Sequence, residues 1–199
     1  MAELGLRVGH VGVYCDGPML MNESKLVCRA LDNRLSGFVL SEIARKLCKL
    51  KKPLAWNVML VNAVQEEVGC IGAGMITHRL RPDAAICIDV THATDSPGLD
   101  KGKFGDIKLG GGPAVIHGTA NHPNLVARLE IVADKNKIPL QHEAAGRRTG
   151  TDTALVSLPL RYMHSPVETA ALTDVENTIK LLLELIKSLK PEDTFGHKL

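Results

Sequence analysis

Two continuous apolar runs, Asn57 to Val64 (NVMLVNAV) and AAICIDV with Asp89 at its end, flank a glycine-rich turn and a short helical stretch reaching about Leu80. A run that is apolar at nearly every position reads as a strand buried on both faces, and such strands belong to parallel sheets covered by helices. The rest of the chain keeps the alternation. Asp32 stands at the head of a helical pattern in which Leu35, Phe38, Val39, Ile43, Leu47 and Leu50 recur before Pro53. A strand near Ala114 to Ile116, a helix from about Asn121 to Lys135 and a strand near Leu140 to Ala144 follow. In the last helix Thr173-Asp174-Val175-Glu176 spells a capping box, and Val175, Ile179, Leu182, Leu183, Ile186 and Leu189 make an apolar stripe that ends before Pro191. This alternation predicts an α/β fold with a mixed, mostly parallel sheet sandwiched by helices.

Three stretches depart from that pattern. Residues 1–26 carry short apolar pieces between glycines and read as small β strands, the remnant of a separate β module ahead of an α/β domain over 27–199. About eight residues separate the strand ending near Ala145 from ALVSL, whereas a parallel crossover needs a dozen or more. Those two strands are therefore expected to be antiparallel, or a helix-sized piece is absent. Gly110-Gly111-Gly112 is not followed by Gly-Lys-Ser/Thr, so it reads as a turn and not as a phosphate loop.

Composition narrows the classes. A chain of 199 residues suits a single domain, on the order of 100–200 residues. Its 24 Lys and Arg nearly balance 22 Asp and Glu, and the one basic cluster, Lys46, Lys49, Lys51 and Lys52, falls where it complements a helix C-terminus. Nucleic acid is not an expected partner. Five cysteines in mostly apolar contexts, with no C-x-x-C pair, point to buried reduced thiols in a cytoplasmic protein. Neither a signal peptide pattern nor a membrane-length apolar run is seen, so no membrane partner is expected.

Glu66 and Glu67 in VQEEVG, Asp32 in ALDNR, Asp89 in CIDV and His164 in RYMHSP each fall at a strand end or sharp turn in this reading. Four carboxylates and an imidazole suit a two-metal hydrolytic centre. Two ions roughly 3.5–4 Å apart need a bridging carboxylate, further Asp, Glu or His ligands, and a carboxylate left over as general base. Each residue also has a plainer reading. Asp32 suits a helix N-cap, Glu66 and Glu67 suit a helix N-terminus, and His164 suits a surface loop. Asp95, Asp106 and Asp152 read as turn formers, and His92 and His122 lie near these segments, where facing a substrate is the less favoured of two readings. His10, His78, His117, His142 and His197 have no context that separates them from ordinary histidines.

The motifs ALDNR, VQEEVGCIGA, IDVTHATDSPG, LGGGP, GTDT and PLRYMHSPVE, in this order over about Leu4 to Leu189, resemble the dinuclear-metal aminopeptidases of metallopeptidase family forty-two. The resemblance implies a zinc-exopeptidase-like fold. It also implies two divalent ions (zinc, cobalt or manganese) and removal of N-terminal residues from peptides by a metal-activated water. Asp32 then matches the bridging carboxylate, Glu67 and His164 the other ligands of one ion, Asp89 a ligand of its neighbour, and Glu66 the general base. Residues 1–26 match the tail of the family's dimerisation module, so a homo-oligomer is expected. The family's His-x-Asp motif has no counterpart here, since the only upstream histidine, His10, lies in VGHVGV. The chain thus resembles the C-terminal half of a family member, and one tightly bound ion with impaired catalysis is expected. The link near Thr153 and Ala154 is also shorter than in the family. The alternative is a catalytically weak metal-binding homologue serving as an assembly or scaffold subunit. A glycosidase, suggested by the cellulase labels in the family, is disfavoured because three Phe, two Tyr and one Trp leave little for sugar platforms.

Overall fold

The computed structural model describes residues 2–15, 17–118, 121–144 and 153–195. In chain order its elements are β1 (Met19–Met21), β2 (Lys25–Val27), α1 (Leu31–Leu47), α2 (Ile71–Leu80), β3 (Ile86–His92), α3 (Lys101–Phe104), β4 (Ala114–His117), α4 (Pro123–Asn136), β5 (Gln141–Ala144), β6 (Ala154–Leu160), β7 (Thr169–Ala171) and α5 (Leu172–Ser188). They form a mixed α/β fold with two sheets flanked by helices. The larger sheet has the order β3-β6-β4-β5, with β3–β6 and β4–β5 parallel and β4–β6 antiparallel. The smaller, β1-β2-β7, is antiparallel.

The core follows from the apolar stripes. Every residue of β6 is buried, as expected of a strand with neighbours on both edges. Val156, Leu158 and Leu160 pack with Val39 and Ile43 of α1, Leu129 and Val132 of α4, and Leu181, Leu182 and Leu185 of α5. Each such side chain removed from water contributes ~1.5–3 kcal/mol. Side chains alternate across a strand, so Ile86, Ile88 and Val90 of β3 join this core while Cys87, Asp89 and Thr91 turn to the other face. β5 runs with β4 and β4 runs against β6, so β5 and β6 are antiparallel. The short connection between them therefore needs no crossover. Residues 145–152 of that connection, Asp152 among them, lie outside the described residues.

Several sequence expectations are corrected. Asn57 to Val64 forms no strand, and Met59, Leu60, Val61 and Val64 are exposed. β3 is only half-buried because, among the described residues, no strand pairs with its outer edge. It also continues past Asp89 to His92, which puts Asp89 in mid-strand. Of the described residues among 1–26, only 19–21 and 25–26 lie in strands, and β2 pairs with β7. The capping box of α5 does not form: the N-cap is Ala171, and Asp174 instead accepts the backbone N–H groups of Gly110 and Gly112. Asp32 does not cap α1. Asp32 and Asn33 are non-helical, their peptide bond is cis, and Asn33 Oδ1 accepts the Ser36 N–H.

Candidate metal centre

Three separate connections bring Asp32, Glu67 and His164 together. Asp32 lies at the β2–α1 junction, Glu67 on the turn before α2, and His164 on the loop between β6 and β7. His164 Nε2 stands 3.0 Å from Asp32 Oδ2 and 3.8 Å from Glu67 Oε1, and one ligand atom from each residue lies within 4.8 Å of the others. These connections are bent sharply. Ala30, Gln65, Cys70, Tyr162 and His164 itself take left-handed backbone angles, φ between 54° and 62°. Such conformations cost energy in non-glycine residues and cluster at functional sites.

A buried carboxylate holds two of the three in place. Glu168 is 2% exposed; its Oε2 accepts the Asp32 N–H at 3.0 Å and its Oε1 accepts the His164 N–H at 2.8 Å. Asn33 does the same for the fourth acid, since its Nδ2 donates to Ile88 O and to Asp89 Oδ1. The Val90 N–H also binds Asp89 Oδ1, which leaves Oδ2 for another partner. Neither Glu168 nor Asn33 was singled out from the sequence. The available signal was an acid inside the apolar segment around Glu168, because an unpaired carboxylate is rarely buried.

Electrostatically the site is a cluster of carboxylates. Burial, then Glu67, push the Asp32 pKa up, His164 opposes them, and Glu168 adds to the rise. Asp89 is pushed up to about 6, chiefly by burial, with the Val90 N–H opposing and Glu66, Asp32 and Glu67 adding to the rise. Mutual repulsion of this kind is what a divalent ion neutralises. Two carboxylates and an imidazole also match the mixed donor set that zinc-like ions take, so the residues fit a metal. Beside them is a hollow of about 280 Å³ lined by Tyr14, Arg29, Asp32, His164, Pro166 and Glu168.

Asp89 stands outside the three-residue cluster and is tied to it through Asn33. Glu66 is exposed next to Glu67, with Cys70 Sγ donating to its Oε1 at 3.5 Å. The other flagged residues do other work. Asp95 pairs with Arg161 through both oxygens, and Asp106 pairs with Lys101 and Lys108. His92 lies edge-on to Phe104, and the His122 carbonyl accepts N–H bonds at the start of α4. His10 accepts the Arg7 N–H on the exposed N-terminal segment.

The sequence pattern described as M42 glutamyl aminopeptidase matches residues 1–181. A lysyl aminopeptidase of Pyrococcus furiosus is 37% identical over 203 residues, covering 96% of this chain and 57% of that protein. An aminopeptidase structure from the archaeon Desulfurococcus kamchatkensis superposes with a TM-score of 0.83 at 30% identity, over 96% of this chain and 57% of that one. The TET1 peptidase of Pyrococcus horikoshii, which can assemble into a tetrahedron or a large octahedral shell, gives 0.71 at 25% identity, over 89% of this chain and 54% of that one. The chain thus spans little more than half the length of these relatives.

Proposed function

As the chain belongs to the M42 glutamyl aminopeptidase family, we propose that it acts as a metal-dependent aminopeptidase on peptides. The observation that carries this reading is the convergence of Asp32, Glu67 and His164 from three distant connections onto one point. A divalent ion of the zinc, cobalt or manganese kind held there would polarise a peptide carbonyl and lower the pKa of water. Asp32 and Asp89 would hold a second ion, Asp89 through the Oδ2 that the Asn33 and Val90 bonds to Oδ1 leave open. Glu66 takes the proton of the attacking water and passes it to the leaving amine. Its neighbour Glu67 serves as ligand, because adjacent side chains diverge.

In this 199-residue chain the two positions are unequal. Among the described residues the first has two carboxylates and an imidazole and the second Asp32 and Asp89, and an imidazole-containing set holds a borderline-soft ion more tightly. Metal analysis of the purified chain, compared with that of a His164→Ala variant, is expected to assign about one tightly bound ion to this centre. Leucyl, glutamyl and lysyl anilides should be hydrolysed slowly. Glu66→Gln should lower that hydrolysis by at least ~100-fold, the size of a general-base contribution, and leave the metal bound. Two tight ions at this centre, both lost with His164→Ala, together with robust turnover would overturn the one-ion statement, and a centre that takes no metal would overturn the whole reading.

The side chains of Glu67 and His164 are 66% and 67% exposed, where a working site excludes water. This favours a second reading, a catalytically weak metal-binding homologue that serves as an assembly subunit. Bound metal without hydrolysis of any of the three anilides is its signature. The assembled TET1 relative supports a homo-oligomer in either case. We place the protein in the cytoplasm on its five cysteines, none of them in a disulfide. Contrary to expectation none is buried, Cys15 and Cys48 being exposed and Cys28, Cys70 and Cys87 half-buried. No described helix is long and apolar enough to cross a membrane.

A further inference from the structure

A second set of donors lies at the opposite edge of the larger sheet. The strand order β3-β6-β4-β5 puts Asp89 on one outer strand and His142 on the other. β4 and β5 pair in parallel with Val115 opposite His142 and His117 opposite Ala144, so His117 and His142 share a face. α4 packs its apolar stripe inward through Leu125, Val126, Leu129 and Val132, which leaves Glu130 at the rim of that face beside both imidazoles.

The distances are those of a ligand set. His117 Nε2 and His142 Nδ1 are 2.9 Å apart, and Glu130 Oε1 is 3.7 Å from the first and 3.6 Å from the second. Donors bound tetrahedrally at about 2.0–2.1 Å from one ion lie about 3.3 Å from each other. The observed separations bracket that value, and all three side chains are at least one-third exposed, so a few tenths of an ångström need only small rotations. A hydrogen bond accounts for the contact between the rings. It does not account for the carboxylate, which converges on both nitrogens at distances too long to accept from either. A cavity of about 150 Å³, lined by His117, Gly118, Asn121, Pro123, Val126 and Glu130, adjoins the cluster and has room for water as a fourth ligand.

We propose that His117, Glu130 and His142 form a second metal site, separate from the centre at Asp32, which takes a zinc ion on two imidazoles and one carboxylate. An ion there ties the outer strand β5 to β4 and α4. Imidazole and carboxylate donors suit zinc, and cobalt reports the same geometry by its absorption.

The test is titration of the whole chain with Zn²⁺ alone and with Co²⁺ alone, in a His164→Ala background that weakens the first centre. One ion is expected to remain bound, with the intense visible absorption of four-coordinate cobalt. Adding His142→Ala should weaken that ion at least about tenfold, because losing even an outer partner of a ligand costs 10–100-fold. Adding Glu130→Gln instead keeps both imidazoles and the helix, so it tests the site even if His142→Ala disturbs the strand. It too is expected to weaken zinc and to change the cobalt spectrum. Zinc affinity and cobalt spectra identical with and without His142→Ala and Glu130→Gln would overturn the proposal.

Discussion

Glu168 shows how much of the candidate centre rests on one residue. Its two oxygens accept the backbone N–H groups of Asp32 and His164, 132 positions apart in sequence (164 − 32), so a single side chain sets the spacing of two ligands. Glu168→Gln preserves shape but replaces one acceptor with a donor that faces an N–H group. A buried donor or acceptor left unpaired costs ~1–3 kcal/mol. We predict that Glu168→Gln weakens metal binding at Asp32, Glu67 and His164 by about 10–100-fold, the usual effect of removing an outer partner of a ligand. Isothermal titration with Zn²⁺ measures it, and unchanged affinity would show that Glu168 does not position the ligands. Asn33 plays the matching part for Asp89 by gripping one oxygen. Residues of this kind are hidden in a sequence because their partners are backbone groups, which every residue has.

Among the elements, the clearest joint is the clamp between α5 and the glycine turn before β4. Asp174 is 1% exposed and accepts from Gly110 and Gly112, both at positive φ. A side chain at position 112 would strike the Pro139 carbonyl, its Cβ only 2.2 Å away, so the turn requires glycine on two counts. Burial outweighs the two N–H bonds and pushes the Asp174 pKa from 3.8 up to about 6. Between these values the folded chain holds the proton and the unfolded chain does not, so stability falls as pH rises. The contribution is fully present below pH 3.8 and is lost as pH rises through about 6. We predict that lowering pH from 7 to 5 raises the unfolding free energy by about 1 kcal/mol through this group. Asp174→Asn should lack that component and be less stable at pH 5, because one glycine N–H loses its acceptor. Urea unfolding of both proteins across this pH range checks the sign, and equal pH slopes for the two would contradict it.

At the scale of the whole molecule, uncovered apolar surface is the dominant feature. Met59, Leu60, Val61 and Val64 are exposed in a segment patterned for a buried strand, and the outer edge of β3 is unpaired among the described residues. At the other end of the chain Leu4, Val8, Val11, Val13 and Tyr14 are exposed, and all of β1 is solvent-facing at the edge of its sheet. Exposed strand edges and large apolar patches are sites of association. We predict that the chain self-associates at micromolar concentration, which sedimentation velocity would detect. A single monomeric species would rule it out.

Local periodicity determined the helices and most of the strands, because the apolar stripes of α1, α4 and α5 and the buried run of β6 are properties of contiguous residues. The acids and the histidine of the candidate centre were likewise visible, in short motifs at turns. Tertiary structure alone decided whether each apolar run found a partner. Asn57 to Val64 has a strand's composition and, among the described residues, no strand beside it, and a strand exists only when another supplies its hydrogen bonds. Tertiary structure also decided the fate of two acids. Asp32 gave up a cap to face His164, and Asp174, in the first turn of α5, was drawn to the glycine turn before β4, because a long-range contact can outweigh a local one. The meeting of His117, Glu130 and His142 is of the same kind: three unremarkable positions on β4, α4 and β5 become neighbours only once strand register and helix packing are set.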